Sequence, residues 1–235
     1  MFRGSVQAWR GCRGRRKLAL AVPWVLALLA GALQADWDFS LISRRAEALY
    51  GPLGPGKQRI DEWQATLARL AGADEKKQLE DVNRFFNAKL RFRDDQELWG
   101  ESDYWATPVQ ALRIGAGDCE DFAIAKYFSL RELGVPSEKL RITYVKALRL
   151  NQAHMVVTYY ATPDSVPLVL DNLVGIIRPA SQRTDLLPVY AFNAEGLWIA
   201  GSGGGKQVGD AKRLSRWQEL LRKMKAEGFP VEPDR

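Results

Sequence analysis

Apolar residues recur at helical spacing in several stretches of the chain. Ile60, Trp63, Leu67 and Leu70 fall on one face of a helix predicted from Ile60 to Leu70. Leu79, Val82, Phe85, Phe86 and Leu90 predict a second helix over Lys76–Leu90. An aromatic-rich connection from Leu98 to Ala106 follows, and Pro108 is expected to open a short helix ending near Gly115. From Asp118 to Leu133 the apolar residues cover most of the helical circumference, which predicts a central, buried helix stopped by Gly134 and Pro136.

The pattern then changes to alternation and β-branched runs. Strands are predicted at Leu140–Val145, His154–Tyr160, Val166–Leu170, Val174–Ile177 and Leu187–Phe192. Gly201 to Gly205 reads as a flexible turn, and Leu214, Trp217, Leu221 and Met224 mark a last amphipathic helix. Helices followed by strands in this order indicate an α+β domain.

The first 35 residues have a different character. Residues 1–17 hold six basic residues and no acid, an apolar run extends from Leu18 to Leu33, and small residues follow. This is the pattern of a secretory signal, with an uncleaved membrane anchor as the alternative. Residues 36–235 are then a single domain. The whole chain carries 34 basic and 28 acidic residues, a net charge of +6, and removal of the signal leaves 28 of each. A near-neutral mature domain gives no support to a nucleic-acid partner.

Export changes the reading of cysteine. The chain has two cysteines, Cys12 and Cys119, and one histidine, His154. With Cys12 removed, no intramolecular disulfide can form, and Cys119 is a lone thiol in an oxidising compartment. It follows Gly115-Ala116-Gly117-Asp118, where Asp118 is expected to cap the helix and set Cys119 in its first turn. Amide groups and the helix dipole there favour thiolate and could receive an oxyanion. His154 is the one available base. If the strands flanking Ala161–Ser165 pair symmetrically about the Thr162–Pro163 bond, His154 and Asp171 become cross-strand neighbours, and the acid can orient the imidazole. Cys119, His154 and Asp171 are therefore the candidate catalytic residues, and Trp105 is a candidate to line the site.

Asp118, Glu120 and Asp121 crowd the thiol. Read plainly, they cap a helix and complement its dipole. They also offer the hard oxygen ligands that Ca²⁺ takes, and a cation there would cancel charge that otherwise raises the thiol's pKa. Zinc is disfavoured, since it would consume the cysteine and the histidine. Nothing in the sequence asks for an organic cofactor.

Val82–Asn87, Leu98-Trp99-Gly100, Asp103–Pro108, Gly117–Asp121, His154–Val157 and Leu170-Asp171-Asn172 together resemble the bacterial transglutaminase-like cysteine proteinases over roughly residues 40–200. The resemblance implies a papain-like fold in transglutaminase arrangement, with N-terminal helices packed on an antiparallel sheet. It implies Cys119 as nucleophile, His154 as base, Asp171 as orienting acid, and Asp118, Glu120 and Asp121 as calcium ligands. It further implies a periplasmic endopeptidase that cuts a large surface adhesin near its N-terminus and releases it. The expected partners are that adhesin and an inner-membrane cyclic-di-GMP receptor that sequesters the protease. A transglutaminase or amidase with the same triad, or a calcium-dependent binding protein without activity, are the alternatives.

Overall fold

The structure, a computed structural model, describes residues 37–199 and 205–231 together with Met1. Beyond Met1, the expected export signal lies outside the described residues, as does most of the expected Gly201–Gly205 turn. Among the described residues no helix is long and apolar enough to cross a bilayer.

Asp38 starts α1 (Phe39–Tyr50), its carboxylate accepting from the Leu41 N–H at 2.9 Å. The sequence reading did not anticipate this helix. Pro55 opens α2 (Pro55–Leu70), and Asp74 caps α3 (Glu75–Lys89) through the Lys77 N–H. They match the predicted helices, α2 beginning five residues earlier and α3 ending one residue short, at Lys89. Trp63 of α2 is buried among Trp37, Phe39, Phe86 and Phe229, and its Nε1 donates to Ser129 Oγ at 2.8 Å. Truncating it to alanine would cost about 3–5 kcal/mol.

A short strand β1 (Arg91–Phe92) and a single turn α4 (Asp95–Leu98) lead to α5 (Pro108–Ile114). Thr107 and Gln110 form a capping box at its start. Gly115 ends it at φ 76°, left-handed backbone that glycine adopts without strain. Arg59 reaches over from α2 to close the last turn, donating to the carbonyls of Leu112 (2.6 Å) and Arg113 (2.7 Å). Strand β2 (Ala116–Gly117) pairs with β1 in parallel and hands the chain to α6 (Cys119–Glu132). Every residue of α6 from Glu120 to Leu130 is buried, as the apolar pattern predicted.

The second half builds the sheet from β3 (Leu140–Ala147), β4 (Gln152–Tyr159), β5 (Leu168–Leu170), β6 (Arg178–Pro179), β7 (Leu186–Phe192), β8 (Leu197–Ile199) and β9 (Lys206–Gly209). Their spatial order is β6-β5-β4-β3-β7-β8-β9, with antiparallel neighbours throughout. The chain closes with α7 (Ser215–Glu227). Helix α6 lies on β4 and β3, with α3 against it, and Phe122, Ile142, Met155, Val157, Leu170 and Phe192 join one core.

Two strand expectations need correction. Val174–Ile177 is not a strand: the backbone bends there, Ile176 is exposed, and Asn83 Nδ2 holds the Gly175 carbonyl at 2.9 Å. The strand comes one residue later, as β6. The β4–β5 register is also displaced. Val157 faces Leu170 and Thr158 faces Val169, so extending it past β5 sets His154 against Leu173, two residues beyond Asp171. A shift of two preserves which face each side chain occupies, whereas a shift of one would have separated them.

Candidate active site

The sharp descent from β2 into α6 fixes Cys119. Asp118 is the cap residue, and Asp121 reaches back from the third helical position to accept the Asp118 N–H at 3.3 Å. The other Asp121 oxygen accepts the Ala106 N–H at 2.7 Å, tying the aromatic connection to the helix start. Gly117 makes room for this: a Cβ there would stand 2.6 Å from Asp121 Oδ2. Cys119 is therefore in the first turn of α6, half-buried, as expected.

Cys119 and His154 line one cleft of about 610 Å³, together with Trp105, Asp118, Glu120, Tyr144 and Met155 among others. His154 and Asp171 are both buried, and His154 Nε2 lies 2.8 Å from Asp171 Oδ1. The same oxygen accepts the Leu173 N–H at 2.9 Å, and the Asp171 carbonyl is held by Asn87 at 2.8 Å. Burial pushes the Asp171 carboxyl up. The hydrogen bond and charge of His154, the Leu173 amide and Arg183 outweigh it and bring the group down to about 2. This geometry leaves the other imidazole nitrogen, Nδ1, for work in the cleft. Trp105 lines the cleft as expected, and it also stacks on Phe192 in the core.

The thiol's surroundings are strongly acidic. Cys119 Sγ donates to Glu120 Oε2 at 3.1 Å, and burial, then Glu120, then Asp118 push the thiol well above its usual range. The helix dipole alone was expected to lower it, and desolvation with two carboxylates overrides the dipole. Asp118 is pushed up to about 10 by burial and by Glu120. Asp121 is raised by burial first and Glu120 second.

The sequence reading missed two members of this cluster, Asp95 and Asp103. Carboxylate oxygens of Asp95, Asp118 and Asp121 lie within 4.8 Å of one another, as do those of Asp95, Asp103 and Glu120. Asp95 is pushed up to about 6, chiefly by burial, against a lowering hydrogen bond from the Tyr104 N–H. Asp95 Oδ1 and Asp118 Oδ1 are buried with no hydrogen-bond partner. Buried carboxylates with idle oxygens are costly unless a cation joins them. The donor set is all oxygen apart from the neighbouring sulfur, and it suits Ca²⁺. The capping reading holds for Asp121, whose two oxygens both accept backbone amides, while the idle oxygens favour a cation at Asp95 and Asp118.

Helix α7 braces this region, and Ser215 and Arg216 at its start also line the cleft. Arg216 Nε pairs with Asp103 Oδ2 at 3.0 Å, Lys223 Nζ donates to the Trp105 carbonyl at 2.6 Å, and Glu227 Oε1 accepts from Thr107 Oγ1 at 2.6 Å. Three residues on one helix thus hold alternate residues of the 103–107 segment. A second, more apolar groove is bordered by Val145, Val156 and Val169, and neither Cys119 nor His154 lines it.

Residues 59–190 match the family model described as bacterial transglutaminase-like cysteine proteinase BTLCP. Among solved structures, Legionella pneumophila LapG is 45% identical, with a TM-score of 0.68, over 79% of this chain and 97% of that one. Its EGTA-treated form gives 45% identity and a TM-score of 0.69 over the same shares. Its calcium-bound form gives 43% and 0.67, over 78% of this chain and 98% of that one. No curated protein matches. The family match spans the cysteine, histidine and aspartate just described, and the fold agrees with it from α2 to β7: the chain belongs to the bacterial transglutaminase-like cysteine proteinases.

Proposed function

We propose that the protein is a periplasmic, calcium-dependent cysteine endopeptidase that cleaves the N-terminal region of a large surface adhesin and so releases it. The observation that carries the catalytic assignment is the shared cleft: a thiol at the head of α6 and an imidazole locked by Asp171 at 2.8 Å. Calcium dependence is supported by the acid cluster and by the calcium-bound and EGTA-treated forms of the Legionella relative. The adhesin, the periplasmic location, the export signal and control by a cyclic-di-GMP receptor follow from the family resemblance.

In this reading Cys119 Sγ attacks the scissile carbonyl carbon as His154 Nδ1 takes the thiol proton. The backbone N–H at the start of α6 faces the oxygen that gains charge. His154 then gives its proton to the leaving amine, and water hydrolyses the thioester. Asp171 keeps Nε2 as the protonated nitrogen and stabilises the imidazolium. Asp95, Asp118 and Glu120, with Asp103 and Asp121 adjoining, would hold the calcium ion. When bound it supplies positive charge that offsets the carboxylates around the thiol.

The test is incubation with the N-terminal region of an adhesin from the same organism, with Ca²⁺ or EGTA, followed by mass spectrometry. A single cleavage seen with calcium and absent from the Cys119→Ala variant is expected. Cleavage by that variant would remove Cys119 as nucleophile, and an amine-dependent ligated product in place of hydrolysis would make the enzyme a transglutaminase.

A further inference from the structure

Asp171 is held on both sides. Its Oδ1 serves His154, while its Oδ2 accepts from Arg183 Nη2 at 2.7 Å. The Arg183 side chain is 3% exposed and that of Asp171 is 0% exposed, so this ion pair is out of water. Arg183 is itself fixed by Asp185: Nε donates to Oδ1 at 3.0 Å and Nη2 to Oδ2 at 2.9 Å. One guanidinium nitrogen therefore bridges two carboxylates, and donors and acceptors alternate along His154–Asp171–Arg183–Asp185.

We propose that Arg183 is a positioning residue for catalysis, holding the Asp171 carboxylate so that Oδ1 is aimed at His154 Nε2. The inference rests on the reading of His154 as base and Asp171 as its orienting acid. Without Arg183, Asp171 Oδ2 becomes a buried acceptor facing no donor. The carboxylate is then held through Oδ1 alone, by His154 and the Leu173 amide, and can swing about its Cβ–Cγ bond, so the imidazole loses its fixed tautomer. Lys126 of α6 also faces Asp171 electrostatically, yet among the described residues the guanidinium is the side chain that bonds Oδ2. Lysine could not replace it fully, because a point-like ammonium lacks the planar fork that spans Asp171 and Asp185. Misaligned by an ångström, a base of this kind loses about a hundredfold in rate.

His154 is the single histidine of the chain, so protein made without a histidine tag gives one imidazole spectrum. Nitrogen–proton NMR reads its tautomer without any substrate. In the unaltered protein the Nε2-protonated form is expected, with its proton shifted downfield by Asp171. In Arg183→Met that resonance should move and the tautomers mix. The kcat for the adhesin fragment should fall ten- to hundredfold with KM within about twofold, and Arg183→Lys should recover part of the loss. An imidazole spectrum and kcat left unchanged by Arg183→Met would overturn the proposal. So would a kcat loss that merely tracks the unfolded fraction with the imidazole signals in place. If Arg183→Met does not fold, Asp185→Asn decides: a displaced imidazole resonance with kcat down at least threefold supports the proposal, and unchanged values reject it. Asp171→Asn in parallel separates the two levels. An Asp171→Asn variant as active as the parent removes the triad reading itself, whereas an impaired one beside a fully active Arg183→Met removes only the role of Arg183.

Discussion

The thiol of Cys119 gives its hydrogen to Glu120 Oε2 across 3.1 Å, so the residue next in sequence restrains the proposed nucleophile. Burial and the flanking carboxylates keep that proton on sulfur. Charge compensation at Asp95, Asp118 and Glu120 should therefore decide reactivity. With Ca²⁺ at neutral pH, iodoacetamide should alkylate Cys119 at least about tenfold faster than in EGTA, the factor that one pKa unit represents. Ca²⁺ should restore the rate after chelation and Mg²⁺ should not, because Mg²⁺ demands a tighter octahedral cage. Equal labelling in EGTA would return the acids to helix capping alone.

Asp171→Asn should lower kcat by about 10²–10⁴-fold with little change in KM, since the interaction it removes matures as the imidazolium forms. The same variant has a stability signature. Asp171 is held near 2 in the folded protein, below its ordinary value of 3.8. Its contribution is therefore present above about pH 4 and is lost as the pH falls toward 2. That contribution is on the order of 2 kcal/mol. Acid unfolding curves of the two proteins should converge below pH 2; curves that stay parallel would disprove the depressed titration.

Glu227 titrates in the opposite sense. Burial raises it from 4.5 to about 7, against lowering contributions from Thr107, Tyr50 and Lys223. A carboxyl raised on folding favours the folded state below its unfolded pKa and loses that favour as pH rises through the folded value. Stability should decline between about pH 4.5 and pH 7 by on the order of 3 kcal/mol from this group. Glu227→Gln, which keeps an acceptor for Thr107 and Tyr50, should flatten that slope in urea titrations. An unchanged slope would acquit Glu227.

Gly117→Ala tests the descent into α6. The added methyl would sit 2.6 Å from Asp121 Oδ2 and 2.7 Å from Asp121 Cβ. Asp121 cannot retreat without releasing the amides of Ala106 and Asp118. The expected cost is about 1–3 kcal/mol, read as a lower Tm, together with loss of cleavage. A variant as stable and active as the parent would show that the turn yields easily.

Helices α2 and α3 were readable from sequence because each buries one stripe, and α6 because its apolar residues surround it. Helix α1 escaped because its buried residues Phe39, Ile42 and Ala46 stand among Ser43, Arg44 and Arg45, and it follows directly on the expected export segment. Val174 and Ile177 read as a strand because apolar character does not distinguish a strand from a loop pinned by Asn83. In the site, Cys119, His154 and Asp171 could be named because the chain has so few candidates for thiol and imidazole chemistry. Their register came out two residues off, since the loop from Tyr160 to Pro167 is centred later than its turn residues suggest. Asp95 and Asp103 were invisible for a different reason. They lie far along the chain from Cys119, and the fold alone sets them beside Glu120.

Helix α7 contributes no acid, thiol or imidazole to the cleft lining, yet Arg216, Lys223 and Glu227 grip residues 103 to 107. A premature stop ahead of Ser215 would spare all the chemistry and remove its scaffolding. The final helix is a keystone: trimming by a neighbouring protease would silence the enzyme as surely as blocking its sulfur.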